Sequence, residues 1–308
     1  MAFKTPLLFI IFNRPEETRM VFDEIKKLRP EKLFIAADGP RADYPDDILK
    51  CKKTREIINE IDWPCETKTN FRDENLGCGK GPANAITWLF QHEEQGIILE
   101  DDCVPDKSFF FFCQELLEKY QDDSRVMHIA GTNHNPEFVR DNSYSYFFSQ
   151  VGHMWGWATW KRAWSLYDIK MGVFDEIITK DYFKDIYPNP FIRKYMIKKF
   201  TETYTGKIKG VWDYQWEFTR IINSGLTIMP RNNLIHNIGF GDAATHTFSS
   251  NNYFKNASVK SLKFPLKHPP FVIKDVQSEN KHFHKMFRWI LKRKLFSTIG
   301  LNGYNSRG

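Results

Sequence analysis

Apolar and polar positions along this chain keep two rhythms. Unbroken apolar runs at 6–12, 33–37 and 96–99 have strand length and read as strands buried on both faces. Residues 65–71 alternate and read as a half-buried strand. Between these runs, 15–28, 46–61 and 79–91 carry helical spacing. The first of them opens on Pro15, Glu16 and Glu17 and sets Met20, Val21, Ile25 and Leu28 at its apolar positions. Strands that alternate with helices predict an α/β fold, with a mainly parallel sheet covered by helices on both faces.

Further along, Asp106 can cap a helix reaching about residue 120. Residues 126–130, 144–150 and 226–229 read as strands. Residues 175–205 read as two short helices broken at Pro188 and Pro190, and 212–224 as a helix closed by Gly225. The stretch 152–164 holds Trp155, Trp157, Trp160 and Trp164 beside Gly152 and Gly156, and the glycines argue for a loop. A second loop, 230–250, holds His236 and His246. Without an internal repeat or a low-complexity linker, the pattern predicts one domain over 1–250 and a C-terminal extension over 251–308.

The chain has 308 residues, of which 42% are hydrophobic, enough for one large core. Its net charge of +6 is uneven. Residues 280–308 carry seven Lys and Arg and no acid, so the remainder sums to −1 and lacks the basic footprint of a nucleic-acid binder. The five cysteines form no Cys-x-x-Cys pair, which argues against a zinc site or disulfide framework and fits a reducing, cytoplasmic setting. The apolar run at the start is too short for a signal peptide, and no stretch is long enough to span a bilayer.

The candidate chemistry centres on Glu100, Asp101 and Asp102, three carboxylates directly after a buried strand. Such a triplet repels itself unless a cation sits within it, and hard oxygen donors suit Mg²⁺ or Mn²⁺ shared with phosphates. In an open α/β sheet, ligands bind at the carboxyl ends of strands, where Asn13, Arg14 and Asp38 also stand. The glycine-rich Asn75–Gly81 stretch lacks Walker spacing, which excludes an ATPase phosphate loop, though a helix start there could face an anion. In the 212–224 helix, Asp213, Glu217 and Arg220 fall on one stripe, as either a catalytic edge or a surface charge ladder.

Taken in order, these motifs resemble the GT-A glycosyltransferases over about residues 5–248. The triplet is similar to their Asp-x-Asp element in its Glu-Asp-Asp form, as in N-acetylglucosaminyltransferase I enzymes and bacterial surface-glycan transferases. The resemblance implies a nucleotide-binding half over about 1–130 and an acceptor half over about 131–250. It implies that Asp102 binds Mn²⁺ or Mg²⁺, and that Glu100 and Asp101 hold ribose hydroxyls and metal-bound water. Phe12, Asn13 and Arg14 would touch the nucleoside, Asp38 the base, and Lys80 the diphosphate or nucleoside. Asp213 would be the general base of an inverting transfer, with Glu217 in reserve. His246 would contact metal or phosphate, and His153, Trp155 and Trp157 would wall the acceptor pocket. Each has a plainer reading beside it: Asn13 as a helix cap, Asp38 as a turn, Lys80 as a surface lysine, the tryptophans as core.

The expected activity is transfer of a sugar from a nucleoside diphosphate, UDP first, to a glycan or lipid-linked glycan hydroxyl. A retaining transferase, a nucleotidyltransferase and an inactive binding module are the rivals. A nucleotidyltransferase would need a longer glycine-rich loop than Asn13-Arg14-Pro15 offers. Residues 282–296 have Phe283, Met286, Phe287, Ile290, Leu291 and Leu295 at helical spacing among basic residues. Such a helix suits the anionic inner surface of a membrane, or packing on the body. On a membrane each basic residue would contribute about 1 kcal/mol.

Overall fold

The computed structural model describes residues 3–239 and 258–298, with the side chains of the last helix given through Lys292. The first half follows the expected alternation. Its elements are β1 (Leu7–Ile11), α1 (Pro15–Leu28), β2 (Lys32–Ala37), α2 (Asp46–Arg55), β3 (Glu66–Phe71), α3 (Gly77–Phe90) and β4 (Gln95–Glu100). A 3-10 turn, Glu56–Glu60, completes the helix expected over 46–61. There follow β5 (Cys103–Pro105), α4 (Lys107–Lys119), β6 (Val126–Ala130), β7 (Tyr146–Ser149), β8 (Trp157–Trp160) and α5 (Lys161–Trp164). The chain goes on through α6 (Phe174–Thr179), α7 (Phe183–Ile186), α8 (Pro190–Tyr204), α9 (Asp213–Ile222), β9 (Leu226–Pro230), β10 (Ile235–Asn237) and α10 (Val276–Thr298).

Eight strands form one mixed sheet in the order β3-β2-β1-β4-β8-β6-β9-β7. The half from β3 to β4 is parallel throughout. β8 enters antiparallel between β4 and β6, β9 pairs parallel with β6, and β7 antiparallel with β9. From β1 the chain winds outward through β2 and β3, then returns to place β4 on the other side of β1. That reversal opens a crevice between the carboxyl ends of β1 and β4. Ile10 pairs with Glu100 in this register, so the acidic triplet sits at the crevice.

Alternation along the strands sorts the core into two layers. Leu7, Phe9 and Ile11 face α1 and α4 with Val21, Phe22, Phe109 and Phe112. Leu8 and Ile98 face α3 and α9 with Ile86, Leu89 and Trp216. Each such fully buried side chain contributes about 1.5–3 kcal/mol. A third cluster, with Phe183, Phe200, Phe218, Phe283 and Met286, joins α7, α8, α9 and α10.

Three sequence expectations change. The tryptophan stretch is not a loop throughout: 157–160 is a central strand and 161–164 a helical turn. Residues 175–205 hold three helices, counting α6 from Phe174, where two were expected. The C-terminal helix is longer than expected, and the first part of its apolar stripe is already covered, while Leu291 stays exposed. Phe283 and Met286 are buried in the third cluster, with Phe287 and Ile290 packed against it. The described part of the extension belongs to the body. Leu262 and Leu266 join the first core layer, and the Ser149 hydroxyl donates to the Glu279 carboxylate at 2.9 Å. Among the described residues, no helix is long and apolar enough to cross a membrane.

Candidate active site

β4 delivers the triplet. Ile97, Ile98 and Leu99 are fully buried, so the strand cannot shift, and Glu100 to Asp102 emerge where its pairing with β1 ends. The counter-charge comes from β1's side. Arg14 Nη1 donates to Asp102 Oδ2 at 2.8 Å and to Asp101 Oδ1 at 3.3 Å. The backbone N–H of Phe12 donates to Asp101 Oδ2 at 3.1 Å. Arg14, expected at the nucleoside, is thus bonded to the triplet itself, though it also lines the cleft.

One guanidinium does not neutralise the cluster. Burial, then Asp102, Asp101 and Asp213, push the Glu100 carboxyl well above the usual range. Burial pushes Asp101 up to about 7, against the pull of Arg14. The donors are all hard oxygens, and a cation among them would relieve the repulsion and favour their ionised forms, so their chemistry fits Mg²⁺ or Mn²⁺. Among the described residues, however, no group of three or more ligating side chains converges as a cage. A metal at Asp102 would therefore draw its remaining ligands from substrate phosphates and water. Asp102 is closely surrounded: Asn237 Nδ2 approaches its Oδ1 at 3.4 Å, and a Cβ on Gly239 would fall 2.0 Å from its Oδ2. A side chain at 239 would therefore displace the Asp102 carboxylate from its present position.

The triplet lines one cleft of about 840 Å³, shared by the β1–β3 side and the α9–α10 side. Phe12, Asp38, Arg41, Asn70, Arg72 and Asn75 line its first half. Asp38 is held by the start of α3: the N–H groups of Leu76 and Gly77 each donate to it at 2.9 Å. The anion expected at this glycine-rich helix start is thus Asp38's own carboxylate. Asn13 turns away from the cleft and donates to Asp47 Oδ1 at 2.7 Å. Lys80 is exposed and does not line the cleft. Neither bears out the contact the resemblance implied.

The second half is built by α9, the 151–155 loop and α10. Asp213 and Glu217 both line it, so the two carboxylates share one cleft with the triplet. Glu217 is pushed up to about 7, first by burial and then by Asp213 and Glu279, while Arg220 opposes. Arg220 is fully buried, with Nη1 donating to Thr227 Oγ1 at 2.6 Å, so the Asp213–Glu217–Arg220 stripe is not a surface ladder. His153 and Trp155 line the cleft, but Trp157 does not. Trp157 is 0% exposed, stacked on His128 at 4.8 Å and on Trp212 at 5.6 Å. Its expected place in an acceptor wall is corrected to the core, because β8 is a central strand buried on both faces.

His134 and His282 also line this half and were missed. His134 was findable, since it follows the fully buried strand β6 and such loops face the crevice. Nothing local marks His282, which arrives only because α10 folds back. His236 is exposed on β10, and His246 lies outside the described residues.

No family model matches this chain, and no curated protein matches it. Several solved structures resemble it distantly. Mouse xyloside xylosyltransferase 1, in its apo form, covers 71% of this chain and 81% of its own, at 11% identity and a TM-score of 0.35. The 4-diphosphocytidyl-2C-methyl-D-erythritol synthase of Anaerococcus prevotii covers 53% and 75%, at 8% identity and 0.31. The inositol-1-phosphate CTP transferase of T. maritima covers 52% and 74%, at 9% identity and 0.29. Likeness at this level says nothing about the reaction, and the site has to speak for it.

Proposed function

We propose that this chain is a glycosyltransferase that moves a sugar from a nucleoside diphosphate, UDP being the first to test, to a hydroxyl of a glycan acceptor. One observation carries the reading: the acidic triplet and the α9 carboxylates face the same cleft, at the point where strand order reverses. The first half, with Phe12, Asp38 and Asn75, takes the nucleoside. The triplet takes the diphosphate, and the half lined by Trp155 and Glu217 takes the acceptor. A divalent cation held by Asp102 and the diphosphate would supply charge stabilisation for the departing phosphate oxygens.

The chain's own residues do the rest. Asp213 opens α9 and lines the cleft together with the triplet and Glu217. Glu217, one helical turn on, has a proton affinity matched to a general base near neutral pH. The acceptor hydroxyl gives its proton to this carboxylate pair as its oxygen bonds to the anomeric carbon. The bond from that carbon to the β-phosphate oxygen breaks, and the electron pair leaves with the nucleoside diphosphate. A single displacement of this kind inverts the anomeric centre.

The nucleotidyltransferase rival finds little room. Only Phe12, Asn13 and Arg14 separate β1 from α1, and Arg14 is engaged with the triplet. Lys281, Arg288 and Lys292 are exposed on α10 and suit attachment to an anionic membrane surface mainly by charge, with the exposed Leu291 beside them. Calorimetry of UDP with Mn²⁺ tests the donor site. Wild type should bind and Asp102→Asn should not; equal binding by the two removes the assignment.

A further inference from the structure

The acceptor half of the cleft has a composition of its own. Three histidines from three separate parts of the chain meet there: His134 after β6, His153 before β8, and His282 on α10. The His134 and His153 rings lie 4.3 Å apart, and those of His153 and His282 5.6 Å. Trp155 and His134 form a T-shaped pair with their centroids 5.0 Å apart. Phe283 and Met286 of α10 line the cleft beside them.

A hydrogen-bond chain sets the protonation of this group. Lys285 Nζ donates to Asn135 Oδ1 at 2.8 Å, which fixes the orientation of the amide. Asn135 Nδ2 must then donate to His282 Nδ1, at 2.8 Å. His282 accepts there, so its proton is on Nε2 and the ring is uncharged. Behind His153, the Trp216 indole N–H donates to His128 Nδ1 at 3.2 Å. His128 Nε2 therefore donates to the His153 carbonyl at 3.1 Å and fixes that backbone. Burial holds His134 down to about 3 and His282 down to about 4, in keeping with uncharged rings.

We propose that His134, His153, His282 and Trp155 form a subsite for one uncharged pyranose of the acceptor, so that α10 is part of the acceptor site. Neutral imidazoles offer both donors and acceptors to sugar hydroxyls, and an indole face suits the C–H side of a pyranose. An anionic sugar would find no charged donor among the three uncharged rings and would face Asp213 and Glu217 in the same half, with Lys199 on the wall and Lys285 behind Asn135 as the opposing charges. This deepens the glycosyltransferase reading and rests on it for the word acceptor. The sequence suggested a membrane role for the same helix. Its inward face does different work, carrying His282, Phe283 and Met286 to the cleft.

Ligand-observed saturation-transfer NMR tests the subsite. The probes are the methyl glycosides of glucose, galactose and N-acetylglucosamine, with methyl glucuronide as the charged control. Each is measured on full-length protein with and without saturating UDP and Mn²⁺. At least one neutral glycoside should bind, and bind better than the glucuronide. His282→Ala should weaken it about fivefold, the scale of one lost hydrogen bond. His282→Gln, which keeps an N–H donor, should restore part of the loss, and both variants should keep wild-type UDP affinity. Should His282→Ala fail to fold, Lys285→Met frees the Asn135 amide from the surface and should weaken the same glycoside. No neutral binding to wild type, preference for the glucuronide, or full binding by both His282→Ala and Lys285→Met overturns the proposal. Glycoside binding without any UDP binding would keep the subsite and remove the donor reading instead.

Discussion

Arg14 reaches across the crevice to Asp102 at 2.8 Å, and its guanidinium is the cation that holds the acidic triplet together. Both side chains are largely buried, at 16% and 17% exposure, so water screens the pair weakly. Arg14 and a divalent cation would then compete for the same carboxylate oxygen. Arg14→Met should lower stability by roughly 3 kcal/mol, the usual scale for a buried carboxylate left without its partner. Mn²⁺ should restore much of that loss, raising the melting temperature of the variant more than that of wild type. Equal Mn²⁺ shifts in the two proteins would count against a metal at Asp102.

Glu217 gives the reaction a pH signature. Its carboxyl is pushed up to about 7, so the ionised base appears only as pH rises through that value. Turnover should rise over the same range, and Glu217→Gln should abolish the rise and cut the rate at least about 100-fold. Asp213→Asn should leave a rise, moved to lower pH because the Asp213 charge helps hold the Glu217 proton, if Glu217 is the base. An unchanged profile in Glu217→Gln returns the role to Asp213.

The same shift carries a stability prediction. The folded protein holds the Glu217 proton to a higher pH than the unfolded chain does, so this group costs stability as pH rises from about 4.5 to 7. The melting temperature of Glu217→Gln relative to wild type should therefore climb between pH 5 and pH 8. A difference independent of pH would mean that the carboxyl is not buried in solution.

Trp157 should behave as core. It is fully enclosed among His128, Trp212 and Trp216, and Trp157→Ala should cost about 3–5 kcal/mol in chemical denaturation. Trp155→Ala, at the cleft wall, should cost far less. Reversed costs would put the wrong tryptophan in the wall.

Much of this was legible in the residue pattern, for reasons that differ from place to place. The strand ahead of Glu100 stood out because a strand buried on both faces has few polar positions to blur it. The triplet's place at the crevice followed from strand–helix alternation alone. Trp157 was misread because Gly152 and Gly156 suggest a loop and hide the start of a central strand that is buried on both faces. The stripe of Phe283 and Met286 was read correctly as apolar, but helical spacing cannot say whether lipid or α8 covers it. Asp38 and the start of α3 were each noticed, yet their bond joins residues 38 and 77, and no local signal spans that separation. Arg14 was recognised as a site residue, but its bonds to Asp101 and Asp102 were not foreseen, because its charge could serve a phosphate or two carboxylates equally well.

Membrane attachment, if charge is its main support, should be sensitive to salt. Vesicles of anionic lipid should bind the protein at low ionic strength and release it at about 0.5 M salt, where screening is short-ranged. Retention at that salt would mean that an apolar face of the protein enters the lipid after all.

The most direct test of the whole account is product analysis by chromatography, with a panel of UDP-sugars in one arm and nucleoside triphosphates with sugar 1-phosphates in the other. The account predicts Mn²⁺-dependent release of UDP in the first arm, lost in Asp102→Asn, and no pyrophosphate in the second. Pyrophosphate release in the second arm, with no UDP in the first, would contradict it.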